Sequence, residues 1–271
     1  MPPANLPQRQ GAAMRKTISS PTAMRLAKGN AISKACAVLS TLSTAAPLRL
    51  NEIADATGLN RVTALRILDD LTEAGFLIRS GSPPRYDFGT EVHALAAAAA
   101  RSQNPRDMLR PALLRLAAFC GDTVLLSVRS GAESVCIERV TGDFPIRANY
   151  LHVGSRRPLG VGAGSMTLLA ALPPAEREVF LDMTCQHLAA YPRLSRDRLK
   201  AHFQHYDAHG FVGMYDQIVD MMGAIGIPVI APHGQLLGAI SIVGLTDRIR
   251  GREAALIAAV KAEIRQALPP V

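Results

Sequence analysis

The sequence predicts an α+β chain in two domains, a helical N-terminal unit closed by a short hairpin and a larger unit built on an antiparallel sheet. Three observations carry this. Apolar residues recur at helical spacing through the first third of the chain. After Phe119 the pattern changes to strand-like runs, then to helices, then back to strands before a last helix, an order unlike a βαβ repeat. Charge is uneven as well: residues 1–90 hold 11 Lys+Arg against 6 Asp+Glu, a balance of +5, and the remaining 181 hold 19 against 16, only +3.

At 271 residues, 48% hydrophobic and 19% charged, the chain has the composition of a globular protein with room for sizeable cores. The formal charge of +8, concentrated toward the N-terminus, suits a polyanionic partner there and a near-neutral second domain. The four cysteines, Cys36, Cys120, Cys136 and Cys185, lie far apart, so neither a disulfide framework nor a thiolate zinc site is expected. Cys120 and Cys136 flank one hairpin and are candidates for neighbours, with two reduced, buried thiols the expected state. The polar, basic N-terminus has no apolar core of signal-peptide length, and no later stretch is long and apolar enough to span a bilayer. A cytoplasmic location is therefore expected.

Residues 1–29, rich in Pro, Gln and Ser, read as a disordered basic arm. A helix follows from Ala31, with Ile32, Ala35, Cys36, Leu39 and Leu42 on one face, and ends at Ala45–Pro47. Asn51 is placed to cap a short helix over Glu52–Thr57, Gly58 to end it, and Asn60 to cap the next. On that next helix Ala64, Ile67, Leu68 and Leu71 face inward, which leaves Arg61, Val62, Leu65 and Arg66 outward, with Thr63 beside them. Phe76–Ile78 and Arg85–Phe88 form a hairpin carrying Arg79 and Arg85. Helix, tight turn, helix and two-stranded wing make a DNA reader, in which the outward residues reach base edges in the major groove and the two wing arginines lie along phosphates. Two packed helices with a hairpin behind them are the plainer alternative.

Gly89–Ser102 is a strong helix-forming run. Pro111 is placed to open a helix through Leu113, Leu114, Leu116 and Ala117 to Phe119. Thr123–Val128 and Ser134–Val140 form a hairpin, and Ile146–Val153 a third strand. Helices follow over Gly162–Leu172, Ala175–Thr184 and from Ser195 to His209, the last closed by Gly210. Strands at Phe211–Tyr215, Ala224–Ile230 and Leu237–Val243 precede a final helix, Arg252–Leu268. The expected division is an arm at 1–29, a winged helix-turn-helix at 30–90, a linker helix at 91–104 and a second domain at 105–271.

The segment PLGVGAGS lacks both the dinucleotide fingerprint and the GK[ST] of a P-loop, and a cradle for a small carboxylate at a helix N-terminus fits it better. His202, His205 and His209 share a helix face, with Cys185 and His187 upstream; a solvated face is expected ahead of a metal site, because nothing completes the cluster at a ligand spacing. No GxSxG, HExxH or comparable arrangement is present, so an enzyme is not expected, and neither is a cofactor. A small-molecule-binding enzyme, or a metal or redox sensor on the same second domain, is the alternative kept open.

The motifs AISKACAVLSTL, LNEIADATGLNRVTALRILDDLTEAGFL, GSRRPLGVGAGSMTLLAALP and AIGIPVIAPHGQLLGAISIVG, in that order, resemble the IclR family of bacterial transcriptional regulators from Ala31 to Leu268. The resemblance implies a winged-helix domain, a linker helix and a GAF-like sensing domain, assembled as homodimers or homotetramers on double-stranded operator DNA. It places the effector pocket at Ala163 and Gly164, with further positions at Met214, Ala224, Ser241 and Val243. Family members that bind small organic acids place an acid, a cysteine and two serines or similar groups on the last four positions. Here Ser241 alone keeps that character, which points to a bulkier or more apolar effector such as an aromatic acid.

Overall fold

The computed structural model describes residues 29–99, 104–148 and 151–269. The chain divides into two compact units, meeting between Ala98 and Ala99. The expected disordered arm falls almost wholly on residues 1–28, outside the described residues, and the expected linker segment straddles both the unit boundary and residues 100–103.

The first unit contains α1 (Ala31–Ala45), α2 (Leu50–Thr57), α3 (Arg61–Glu73), the hairpin strands β1 (Leu77–Ser80) and β2 (Arg85–Phe88), and α4 (Thr90–Ala99). Its core is Val38, Leu42, Leu48, Ile53, Ile67, Leu68, Leu77 and Tyr86. Gly58 ends α2 in the left-handed region at φ 72°, and Asn60 Oδ1 accepts from the Thr63 N–H at 2.8 Å to start α3, both as expected. Two local expectations are corrected. Helix α2 starts before Asn51: the Glu52 carboxylate reaches back to the Arg49 N–H at 2.7 Å, so the reciprocal half of a capping box sets the start. On α1 the expected face holds only in part: Leu42 is buried and Ala35 and Leu39 pack against the core, but Ala37, Val38 and Thr41 are buried beside them while Ile32 is 75% exposed and Cys36 is exposed. Both faces satisfy spacings of three and four; the buried one offers smaller side chains where α2 and α3 approach.

The second unit contains α5 (Pro105–Cys120), β3 (Thr123–Ser130), β4 (Glu133–Thr141), β5 (Arg156–Pro158), α6 (Ala163–Ala170), α7 (Pro174–Cys185), α8 (Arg196–His209), β6 (Val212–Tyr215), β7 (Met222–Ile230), β8 (Leu236–Leu245), α9 (Thr246–Arg250) and α10 (Glu253–Ala267). The strands form one six-stranded sheet in the order β5-β4-β3-β8-β7-β6, every pairing antiparallel. Residues Val124, Leu126, Ile225, Ile227, Ile240 and Ile242 point to one face, where α5 and α10 contribute Leu109, Leu113, Leu116, Leu256 and Val260. Helices α6 and α8 pack together with Met214 and Ala239 from the other face. This two-sided burial explains why β7 and β8 read as nearly continuous apolar runs.

Three further expectations change here. Helix α5 opens at Pro105 under an Asn104 cap, whose Oδ1 accepts from the Arg106 N–H at 3.0 Å, and Pro111 sits inside the helix on an exposed turn. The expected strand over Ile146–Val153 is absent from the described residues of that stretch, and the third strand is the short β5 further on. An apolar run alone does not make a strand: the edge of β4 near Ser134 is taken by Arg156–Pro158, in register Glu133↔Pro158 and Ser134↔Arg157. Cys120 belongs to the core under α5 and Cys136 to a small cluster with Leu125 and Val243, so the two thiols lie on opposite faces of the sheet.

Candidate functional site

On α3 the residues that face away from the core are those the sequence singled out. Arg61, Val62, Leu65 and Arg66 are exposed, Val62 to 80%, and Thr63 is half-buried at the helix start beneath the Asn60 cap. Opposite them Ala64, Ile67 and Leu68 are buried. An exposed valine and leucine between two arginines suit a groove floor that offers both acceptors and thymine methyl groups.

The wing arginines are not equivalent. In the register Arg79↔Tyr86 and Ser80↔Arg85, directly paired side chains share a face, so Arg79 and Arg85 point to opposite faces of the hairpin. Arg79 is exposed, whereas Arg85 is half-buried and its guanidinium donates to the Pro47 carbonyl at 3.1 Å, holding the wing to the segment between α1 and α2. Arg85 therefore has a role inside the fold beyond the one expected of it.

In the second unit a cavity, partly open to solvent, lies between the sheet and the start of α6. Its wall includes Ala163, Gly164, Met214, Ala224, Ser241 and Val243, the six positions that the family resemblance implied. Register explains the grouping. Met214, Ala224 and Val243 are direct partners in one row across β6, β7 and β8, and Gly226, Ser241 and Leu125 form the next row on the same face. Gly226 leaves room for α6: a Cβ there would lie 2.4 Å from Thr167 Oγ1 and 2.5 Å from the Ala163 carbonyl oxygen. Gly164 makes the second close approach, its Cβ position 3.0 Å from Ser241 Oγ and 3.8 Å from Ser127 Oγ.

The helical ladder of α6 begins with the Met166 N–H donating to the Gly162 carbonyl at 2.7 Å, which leaves the N–H groups of Ala163, Gly164 and Ser165 ahead of it at the positive end of the helix dipole. Ser241 is 3% exposed, and among the described residues its hydroxyl makes no hydrogen bond to protein. Sequence reasoning missed the rest of the polar wall: Ser127, Ser134, Cys136, Ser155 and Arg157. These come from β3, β4, the approach to β5 and β5 itself, and the mistaken strand over Ile146–Val153 hid the register that brings them in. Burial pushes the Cys136 thiol up to about 11, so it acts here as an apolar surface and not as a thiolate.

The histidines of α8 are used otherwise. His202 Nε2 is 3.0 Å from Gln217 Oε1, and His205 stands edge-on to Phe211 with ring centroids 4.8 Å apart. Among the described residues no group of three His, Cys, Asp or Glu side chains is placed to hold a metal, and no helix is long and apolar enough to cross a membrane.

Comparison with known proteins agrees with both halves. The IclR helix-turn-helix domain model matches residues 31–81, and the model described as bacterial transcriptional regulator IclR C-terminal matches residues 97–267. Among curated relatives, the HTH-type transcriptional regulator KipR of Bacillus subtilis is 27% identical over 82% of this chain and 88% of its own length. The probable transcriptional regulator SauR of Cupriavidus necator is 27% identical over 77% and 83%. Among solved structures, a regulator from Alicyclobacillus acidocaldarius aligns with a TM-score of 0.74 at 23% identity, covering 88% of this chain and 96% of that one. An IclR homologue from Microbacterium hydrocarbonoxydans, complexed with 4-hydroxybenzoate, aligns at 0.68 and 19% identity, over 88% of this chain and 100% of that one. An N-terminal helix-turn-helix joined to this C-terminal domain is the architecture of a non-enzymatic, ligand-responsive regulator, and the chain belongs to the IclR family of bacterial transcriptional regulators.

Proposed function

We propose that α3 reads base edges through Arg61, Val62, Thr63, Leu65 and Arg66, while Arg79 contacts phosphate and Arg85 combines a phosphate contact with its bond to Pro47. The observation that carries this is the exposure of Val62 and Leu65 between two arginines, an arrangement that folding of the unit does not require. One winged helix covers a short site, so a homodimer or homotetramer on an inverted repeat is the working assembly, with half-sites about 10 base pairs or a multiple apart. The four-part division at residues 29, 90 and 104, with 91–104 as a linker, belongs to the same reading. Gel shift and footprinting on the DNA beside the gene test it; a single asymmetric half-site bound by a monomer contradicts it.

The effector enters the cavity between α6 and the sheet. Ser241 supplies a hydroxyl, the N–H groups of Ala163 and Gly164 favour a carboxylate, and Met214, Ala224 and Val243 line the apolar wall. A small carboxylic or aromatic acid fits this mixture, and 4-hydroxybenzoate in the Microbacterium homologue is a ligand of that kind. A thermal-shift screen of carboxylic and aromatic catabolites tests the class.

A further inference from the structure

Arg156 and Arg157 are adjacent on β5, and the register sends them to opposite faces. Arg156 shares its face with Val135 and Glu133, and its guanidinium meets the Glu133 carboxylate at 3.2 Å. Arg157 pairs with Ser134, on the face that also carries Cys136 and Ser127, and lines the cavity. Its Nη1 lies 3.2 Å from where a Cβ would stand on Gly162, the residue immediately before α6. A side chain at position 162 would crowd the guanidinium away from the helix start. Among the described residues that form the wall, Arg157 carries the one formal charge; the others are Ser, Cys, Gly, Ala, Val, Leu, Ile and Met. A guanidinium and a helix N-terminus thus converge on one end of a cavity whose described wall residues include no carboxylate, and its other end is apolar.

We propose that Arg157 is the charge-reading residue of the effector site: it requires an anionic group on the ligand, held at the Gly162 end by the guanidinium and the α6 N–H groups together. This rests on reading the cavity as the effector site, and it adds a division of labour within it. Arg157 selects charge, Ser241 orients, and the row Met214, Ala224, Val243 selects the shape of the uncharged part. A planar guanidinium presents paired donors that match a carboxylate and gain little from a neutral amide of the same shape.

The test uses the full chain and two matched probe pairs, benzoate with benzamide and hexanoate with hexanamide, followed by titration calorimetry. The wild type is expected to bind each carboxylate about tenfold or more tighter than its amide, as for a hydrogen bond to a charged group. R157Q should bring that ratio close to one by weakening the carboxylates alone, and R157K should keep part of it. If R157Q fails to fold, R157K carries the test: a reduced carboxylate preference supports the role and an unchanged one overturns it. A ratio near one in the wild type, or a ratio that survives R157Q, overturns the role of Arg157 and leaves the cavity reading standing, because binding that weakens in S241A still places the ligand there. A wild-type chain that binds none of the four overturns both.

Discussion

Helix α3, proposed to read DNA, and the cavity proposed to hold the effector differ in what folding asks of them. In α3 the inward residues Ala64, Ile67 and Leu68 suffice for packing, so the outward residues answer to something beyond the fold and can be recognised from one helical period. In the sensing domain the same residues serve both purposes. Gly164 touches Ser241, Gly226 admits α6, and Val243 belongs both to a buried cluster and to the cavity wall. A surface site is legible in sequence because it is what packing leaves over, whereas an internal site is part of the packing: six of its positions came from the family resemblance, and the rest of its polar wall becomes legible only with the strand register. The two regions should therefore respond differently to the same kind of substitution.

The largest contrast is expected between two glycines. Gly226→Ala puts a methyl group against backbone and the Thr167 hydroxyl, so α6 must lift from the sheet, at a cost of about 3 kcal/mol to the second unit. Gly58→Ala meets nothing within 4 Å and suffers only from its φ of 72°, a cost of about 1 kcal/mol to the first unit. Urea unfolding followed separately in the two units checks this, and equal losses would dissolve the distinction.

Next in size is the effect of Arg66→Ala, which should cost about 1–3 kcal/mol on the cognate operator and relax preference at one base step. Arg79→Ala should instead weaken all sequences alike and lower the salt slope by about one unit. Operator preference unchanged by Arg66→Ala would remove α3 from its reading role.

A smaller effect concerns acid stability, and it sharpens the comparison because the buried ion pairs described here lie in the second unit. Burial raises the Glu138 carboxyl, but the hydrogen bonds from Arg110 at 2.6 Å and from the Arg139 N–H, with Arg106 at 3.1 Å, outweigh it and hold the group below the usual carboxylate range. A carboxylate depressed in the folded state adds stability above its unfolded value near 4.5, and that stability disappears as pH falls through the folded value. His202 and His205 are also held low, chiefly by burial, so their protonation on acidification below 6.5 disfavours the fold with the same sign. Glu138→Gln should remove about 1 kcal/mol at neutral pH and flatten the loss below pH 4.5, leaving the histidine part in place. An unchanged acid limb in a urea titration at several pH values would contradict it.

The sequence resolved the two-domain α+β plan because its helix starts and stops are chemically explicit: Asn60 and Ser195 as N-caps, and Gly58 and Gly210 as left-handed ends, act in the structure as they read in the chain. It failed where two solutions share one period, as on α1, and where an apolar run at Ile146–Val153 outcompeted the less conspicuous β5. That second failure had a functional cost. Arg157 sat in plain view within GSRRPLGVGAGS, but its facing depends on pairing with Ser134, a contact between segments more than twenty residues apart that no local pattern encodes.

The central claim is that one cavity in the second unit controls DNA affinity set in the first. A ligand does so only by preferring one arrangement of the assembly over another, so cavity variants should alter the response and spare ligand-independent binding. The most direct measurement is operator affinity, with and without a saturating effector from the thermal-shift screen, for the wild type, Ser241→Ala and Gly164→Leu. Ser241→Ala should shift the response to higher effector concentration, and Gly164→Leu, whose side chain would fill the space beside Ser241 Oγ, should abolish it, both with ligand-independent operator affinity within about twofold of wild type. If both variants respond to the effector as the wild type does, the control site lies elsewhere in the chain.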